Sequence, residues 1–115
     1  MLDKLERVTY LYDIYSNLLT EKQQKALQMY YFDNFSLGEI ALEYNISRQG
    51  VYDLLRRALQ SLEGLEANMQ LYTSYLYRKE KLQDAWDILS QPSLGDDDMQ
   101  RLQGLMKELI EENEA

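Results

Sequence analysis

The chain has 115 residues, a length that is typical of one domain with a modest core. It contains no cysteine and no histidine, which excludes disulfides, thiolate or imidazole metal ligands, cysteine nucleophiles and histidine general bases. Twelve basic and twenty acidic residues give a net charge of −8. That charge argues against a non-specific nucleic-acid binder, because contacts from lysine and arginine to phosphates dominate such affinity.

Composition also predicts the fold class and the location. Helix-forming residues are abundant and there is a single proline, so we expect an all-α protein. Small secreted domains commonly use disulfides, and their absence here indicates the cytoplasm. No apolar run approaches the roughly 20 residues that a membrane helix needs, and no charged-then-apolar leader opens the chain. We therefore expect no membrane insertion.

Two amphipathic segments come first. The first predicted helix covers residues 2–19, with a stripe wide enough to contact two neighbouring helices or a second subunit; its apolar residues are Leu5, Val8, Leu11, Tyr12, Ile14, Tyr15, Leu18 and Leu19. Thr20 and Gln23 have the spacing of a capping box and open the second helix. Asp33 and Asn34 break the pattern after it.

The stretch from Ser36 to Leu62 has the pattern of a helix-turn-helix. Ser36 and Glu39 form a second capping box, and the residues that follow on one helical face are Leu37, Ile40, Ala41 and Tyr44. Asn45 tolerates the left-handed conformation that a sharp turn needs. Ser47 is placed to cap the next helix, whose predicted buried residues are Val51, Leu54, Leu55, Ala58 and Leu62.

The opposite face of that second helix supplies the candidate DNA-binding residues. A helix-turn-helix offers the start of its second helix to the major groove, so Arg48 and Gln49 are placed to reach base edges. Arg56 and Arg57 lie further along the helix and suit phosphate contacts. The full predicted set is Ser47, Arg48, Gln49, Tyr52, Asp53, Arg56 and Arg57. The alternative is a solvated face on a fold that does not bind DNA.

The same residues carry a family resemblance. The run from Leu19 to Leu27, Tyr30-Tyr31, Ser36 to Ala41, Ile46-Ser47-Arg48, Val51 and Arg57 to Leu59 resembles region 4 of bacterial sigma factors. This resemblance implies a helix-turn-helix without a wing, in which the helix that starts at the Ile-Ser-Arg step reads promoter DNA. The whole chain, with its acidic helical tail, more closely resembles the YlxM-like family of bacterial helix-turn-helix proteins. Genes of that family neighbour those of the signal recognition particle pathway, which implies a regulatory or accessory role there.

The sequence departs from sigma region 4 at several points. Gln49 and Gly50 stand where that region usually carries more basic side chains, and Gly50 costs the helix roughly 0.5–1 kcal/mol relative to alanine. Tyr44 and Asn45 replace the usual Leu-Gly at the turn. No segment similar to region 2 is present, so a complete sigma factor is excluded by length.

After Leu62 the helical pattern continues. Gly64 predicts a kink or a helix end, and a helix of about 25 residues then carries an apolar face; its residues are Leu65, Met69, Tyr72, Leu76, Leu82, Trp86 and Leu89. Residues 90–95 predict a linker, and Asp96-Asp97-Asp98 suits the positive end of the next helix better than a metal site. The stripe from Met99 to Ile110 either folds back on the long helix or pairs with a second chain.

These observations predict one compact unit with two parts. Residues 1–63 form the N-terminal helices and the DNA-binding helix-turn-helix, and residues 64–115 form a C-terminal extension that is expected to dimerise. The expected function is DNA-binding regulation as a homodimer, with a link to the signal recognition particle implied by the resemblance. The alternative is an interaction module that binds the particle's protein or RNA. We expect no enzyme, cofactor or metal site. The tyrosines predict packing, with stacking on single-stranded bases as the alternative.

Overall fold

The computed structural model describes the backbone of residues 2–114 and the side chains of residues 4–112. Within that range the chain is helical and contains no strand, which confirms the predicted all-α fold. Its helices are α1 (Leu2–Tyr15), α2 (Glu21–Leu27), α3 (Leu37–Tyr44), α4 (Arg48–Met69), α5 (Leu71–Leu89) and α6 (Asp96–Glu114). A 3-10 turn at Ser16–Leu18 follows α1, and a π-helical turn at Gln28–Phe32 follows α2.

The chain divides into two compact units after Tyr72. The first unit contains α1 to α4 and the first two residues of α5, and the second contains the rest of α5 and α6. The sequence placed a boundary after Glu63, which lies inside α4. Gly64 does not end that helix, contrary to the prediction, because the buried side chains of Leu62 and Glu66 on either side of it continue one helical face.

The first unit is built around the inward faces of α1, α2, α3 and α4. Its core is almost entirely aliphatic; its buried residues include Val8, Leu11, Tyr15, Leu19, Ala26, Leu27, Ile40, Ala41, Val51, Leu55, Ala58 and Leu62. The stripe predicted on the first helix is therefore confirmed in its centre. The prediction is wrong for Leu5, Ile14 and Leu18, whose side chains are exposed. The 3-10 turn explains Leu18, because it ends α1 before that residue and turns its side chain outward.

Side-chain caps fix where the helices of the first unit begin. Both predicted capping boxes are present, with the Thr20 and Ser36 hydroxyls accepting from the backbone N–H groups of Gln23 and Glu39 at 3.1 Å each. The Gln23 and Glu39 side chains return the contact to the backbone N–H groups of Thr20 and Ser36. Each reciprocal pair satisfies two donors that would otherwise lack a partner at a helix start.

The second unit contains a helical hairpin with a very small core. Its buried side chains are Ala85, Ile88 and Leu105, with Leu102 packed against them. Two ion pairs join α5 to α6, Lys81 to Glu108 at 3.0 Å and Arg78 to Glu112 at 3.7 Å. At the start of α6 the Asp98 carboxylate accepts from the backbone N–H of Gly95 at 3.0 Å, so this acidic turn serves as a helix cap, as predicted.

The apolar face predicted along α5 is buried at Tyr72 but not further along the helix. Leu82, Trp86 and Leu89 are 54%, 67% and 56% exposed, whereas Ala85 and Ile88 lie at the helix–helix seam. Because alanine is small, Ala85 lets α5 and α6 approach closely, whereas a leucine or tryptophan side chain at that position would keep them apart. No helix in the described part of the chain is long and apolar enough to cross a membrane.

Candidate nucleic-acid interface

The turn between α3 and α4 has the geometry that a helix-turn-helix requires. Asn45 takes the left-handed conformation, with φ 53° and ψ 48°, as the sequence predicted. The Asn45 N–H donates to the carbonyl of Leu42 at 3.3 Å, and the Ile46 N–H donates to the carbonyl of Ala41 at 3.0 Å. This pair of bonds is a Schellman motif, which ends α3 sharply and satisfies its last carbonyls. The chain therefore changes direction within the three residues between α3 and α4.

Ser47 then begins the second helix of the motif. It has an extended backbone, and its Oγ accepts from the N–H of Gly50 at 3.0 Å, so the predicted cap is confirmed. Below this first turn the inward face of α4 is buried at Val51, Leu55 and Ala58. Leu54, which was predicted to be buried, is only half-buried. The cap and the buried face together fix the orientation of α4 on the core.

The predicted DNA-binding residues are brought together on the outward side of α4. Ser47, Arg48, Gln49, Tyr52, Arg56 and Arg57 are exposed, and Asp53 is half-buried among them. Tyr52 has 53% of its surface exposed. We call this set, Ser47 to Arg57 on the outward side of α4, the reading face. It begins at a helix N-terminus, where side chains of the first turn project beyond the body of the protein.

Asp53 reduces the positive charge of the reading face. Its Oδ1 accepts from the Gln49 amide at 3.3 Å and lies 4.0 Å from Nη2 of Arg56. Arg48 and Arg57 make no ion pair within residues 4–112. The three arginines and one aspartate leave a net charge of +2 on this face, within a first unit that has seven basic and ten acidic residues. The positive patch is therefore local.

Arg48 is positioned by a glycine on the preceding helix. A Cβ atom placed on Gly38 would lie 3.2 Å from both Nε and Nη2 of Arg48, which shows that the guanidinium lies against the first turn of α3. Gly38 leaves the room for this contact. The guanidinium thus lies at the junction of α3 and α4, where the side of α3 meets the reading face.

Sequence reasoning missed one exposed apolar side chain in the motif. Leu42, on the outer side of α3, is 86% exposed, the most exposed of the large apolar residues in the described chain. It falls outside the i, i+3, i+4, i+7 stripe of α3, so the core pattern gave no reason to select it. Leu42 adjoins Glu43 and lies one turn after Glu39, so it stands on a polar face of α3. A single exposed leucine is common on protein surfaces and does not by itself indicate a contact.

Within residues 4–112 no cluster of three or more acidic, histidine or cysteine side chains could hold a metal ion. Of the acidic residues at the start of α6, Asp98 caps that helix, as described above. The reading face itself contains one carboxylate, three guanidinium groups, an amide, a phenol and a hydroxyl. Such a set donates and accepts hydrogen bonds but offers no nucleophile next to a general base.

Comparison with known proteins places the chain in a family. Residues 2–104 match the model of the family described as "Putative helix-turn-helix protein, YlxM / p13 like". The chain belongs to this family. The match covers both units and includes the whole reading face, and the family recognised from the sequence is thereby confirmed.

Relatives in several bacteria support the same assignment. A UPF0122 protein of Halalkalibacterium halodurans is 43% identical over 105 residues, which cover 91% of this chain and 96% of that protein. A UPF0122 protein of Geobacillus sp. is 41% identical over 111 residues, covering 96% and 98%. One from Shouchella clausii is 49% identical over 82 residues, covering 71% and 75%. The similarity therefore extends along almost the full length of two of these three relatives.

Proposed function

We propose that this YlxM-like protein is a DNA-binding regulator that inserts the start of α4 into the major groove. The observation that carries the proposal is the reading face: six exposed polar side chains follow a sharp left-handed turn and a capped helix start. The membership of a helix-turn-helix family supports the same function. Such a regulator works in the cytoplasm, where we place the protein.

The reading face divides into two groups by distance from the helix start. Arg48 and Gln49 lie in the first turn, where a bidentate arginine–guanine or glutamine–adenine contact is within reach. Tyr52 follows one turn later and offers a hydroxyl and a ring edge. Arg56 and Arg57 lie two turns along and contact phosphates, which positions the helix without selecting sequence.

The balance of charge makes specific contacts more important than in a basic DNA-binding domain. Each phosphate that is neutralised by Lys or Arg contributes about −0.9 to the slope of log affinity against log salt. With Arg56 and Arg57 assigned to phosphates, one chain is expected to give a slope of about −2. The affinity for DNA of random sequence is accordingly low, and contacts with base edges supply the additional affinity for a specific duplex.

We also propose that the protein acts as a homodimer through the second unit. The exposed stripe on α5 consists of Leu82, Trp86 and Leu89, and the apolar residues exposed on α6 are Met99, Met106 and Ile110. Two copies of α5 that cross antiparallel near Leu82 place the basic Arg78 and Lys79 of one copy beside Trp86 and Asp87 of the other. A two-fold dimer has two reading faces, one for each half-site of a palindromic operator.

A second candidate function is an interaction module, and the same charge balance favours it. The Asp53 carboxylate accepts a hydrogen bond from the Gln49 amide and lies near Arg56. The first unit is also net acidic, and both features weaken any contact with a phosphate backbone. The YlxM-like resemblance implies a link to the signal recognition particle, so its protein or RNA would be the partner. Leu42 provides an exposed apolar contact for a protein partner.

One selection experiment separates the two functions. The purified protein is incubated in parallel with a random DNA duplex pool and a random RNA pool, and bound molecules are amplified over several rounds. DNA-binding regulation predicts enrichment of one duplex motif with a two-fold repeat. Enrichment from the RNA pool alone, or co-purification with the particle's protein without any enriched duplex, would favour the interaction module and contradict the first proposal.

A further inference from the structure

A groove runs along the first unit beside the reading face. It has a volume of about 560 Å³ and lies between α1, the π-helical turn and α4. Leu55, Leu59 and Val8 contribute its apolar floor, and Tyr30, Tyr31 and Tyr52 line it as well. Sites for small molecules typically occupy roughly 300–1,000 Å³ and combine an apolar lining with a few polar groups. The groove therefore has the size and lining of a ligand site.

Two of the tyrosines that line the groove belong to the π-helical turn. Gln28–Phe32 adopts the wider helical geometry, and the rings of Tyr30 and Tyr31 meet edge to face with their centroids 5.1 Å apart. Turns of this kind are rare and occur frequently at functional sites. Tyr30 keeps 39% of its surface exposed, and burial raises the pKa of Tyr31 above its usual value. Both rings line the groove, with one of them open to solvent.

Charges around the groove indicate the sign of the ligand. Arg7 is already satisfied, since its Nε and Nη2 donate to the two carboxylate oxygens of Glu63 at 2.7 and 2.8 Å. Lys4 makes no ion pair among the described side chains, and Arg56 has only the 4.0 Å contact with Asp53. The groove thus has two cations available for an incoming group and no unpaired carboxylate in its lining. An anion complements this arrangement.

We propose that this groove binds a small aromatic anion, whose ring packs between Tyr30, Tyr52 and Leu59 and whose acidic group lies near Lys4 and Arg56. Tyr52 and Arg56 belong both to the groove and to the reading face. A ligand that engages these two side chains withdraws them from DNA, so binding of the anion and binding of DNA oppose each other. By linkage the opposition is reciprocal. The opposition rests on the DNA-binding function proposed above, whereas the ligand site does not.

The test uses 1-anilinonaphthalene-8-sulfonate, an aromatic anion whose fluorescence rises on binding, together with its uncharged analogue N-phenyl-1-naphthylamine. The proposal predicts saturable binding of the sulfonate and amide chemical shift changes in a ¹⁵N-labelled protein that centre on Tyr30, Tyr31 and Leu59. Lys4→Glu reverses a charge near the proposed acidic group and is expected to weaken the sulfonate about fivefold to tenfold while leaving the neutral analogue unchanged. Equal affinity for the two probes would contradict the anionic part of the proposal.

Two further variants localise the probe without disturbing buried side chains. Gln60 lines the groove and is exposed, so Gln60→Phe fills the space and is expected to abolish binding there. Gln100→Phe makes the same change at an exposed position on α6, to one side of the Met99, Met106 and Ile110 stripe, and serves as the matched control. If Gln60→Phe binds the probe as the wild type does, or if the shift changes centre on Leu82 and Trp86, the groove is not the site.

The link to DNA is measured separately with the enriched duplex. Adding the sulfonate probe is expected to weaken the wild-type complex, and Gln60→Phe is expected to remove that effect. If the probe binds the groove but the duplex affinity does not change, the ligand site stands and the opposition between ligand and DNA is wrong. If no duplex binds at all while the probe still does, it is the DNA-binding function that fails.

Discussion

The Tyr15 hydroxyl donates a hydrogen bond of 2.7 Å to Oε1 of Glu66, which is only 3% exposed. The same hydroxyl accepts from the N–H of Leu71 at 3.2 Å, and the same carboxylate oxygen accepts from the N–H of Tyr72 at 3.0 Å. Gln70, the residue between α4 and α5, takes the left-handed conformation, with φ 54°. One phenol and one carboxylate thus satisfy the backbone donors at the break between α4 and α5 and join that break to α1.

Removing the Tyr15 hydroxyl should destabilise the first unit. Tyr15→Phe leaves the Leu71 N–H without its acceptor and removes one of the donors to the Glu66 carboxylate, which costs about 1–3 kcal/mol. Urea unfolding followed by circular dichroism measures the loss. Tyr52→Phe removes a hydroxyl from an exposed ring and should stay within about 0.5 kcal/mol of the wild type. If Tyr15→Phe also stays within about 0.5 kcal/mol of the wild type, the buried network contributes no stability.

Alkaline pH should destabilise the protein through the same residue. Burial, reinforced by the hydrogen bond to Glu66, raises the pKa of Tyr15 above its ordinary value of 10.0. The unfolded chain then loses its tyrosine proton at a lower pH than the folded chain does, so stability falls as the pH rises above about 10. Urea midpoints between pH 8 and 11 test this, and the decline should be shallower in Tyr15→Phe. Tyr31 and Tyr44 are half-buried and their pKa values are also raised, so part of the decline remains in that variant.

The cap at Ser47 should matter for both stability and DNA binding. Ser47→Ala removes the acceptor for the Gly50 N–H and should cost about 0.5–2 kcal/mol. Because that bond orders the first turn of α4, affinity for the enriched duplex should fall as well. Ser61→Ala, in the middle of the same helix, is the matched control and should lower neither. The prediction fails if the two variants are indistinguishable.

Neutralising Asp53 should strengthen DNA binding. Asp53→Asn removes the carboxylate that lies near Arg56 and would repel phosphates, so affinity at low salt should rise about threefold to tenfold. Asp13→Asn makes the same charge change at an exposed position on α1 and controls for the net charge of the protein. Fluorescence anisotropy with the enriched duplex measures both. A decrease with Asp53→Asn would mean that the carboxylate itself contacts a base, as an acceptor from cytosine.

The exposed α5 stripe should be the dimer contact. Trp86 is the one tryptophan of the chain and is 67% exposed in the single copy, so its emission should shift to shorter wavelength as concentration raises the dimer fraction. Leu82→Lys with Trp86→Lys should give a monomer by sedimentation velocity with unchanged helix content. Leu42→Lys, at an exposed leucine of the first unit, should leave the dimer intact. A wild-type protein that sediments as a monomer at micromolar concentration would contradict the dimer.

Local signals predicted the helix-turn-helix, whereas tertiary contacts decided the features that the sequence did not predict. Ser36, Asn45 and Ser47 act within four residues of themselves, so their spacing was enough to locate the turn. The continuation of α4 past Gly64 was not predictable, because it depends on a buried carboxylate whose partner is fifty-one positions away in sequence. Likewise, periodicity selected Trp86 over Ala85 on α5, although close helix packing buries the smaller residue.

The central claim, that the reading face binds DNA, is tested most directly by the salt dependence of binding to the enriched duplex. We predict a steep fall in affinity with salt for the wild type, and loss of binding in the Arg48→Ala, Arg56→Ala and Arg57→Ala triple variant. The double variant Arg56→Ala with Arg57→Ala should flatten the slope by about 2 units per chain, whereas Arg101→Ala with Lys107→Ala on α6 should leave it unchanged. Unchanged binding by the triple variant would contradict the account, because the reading face would then not be the contact surface.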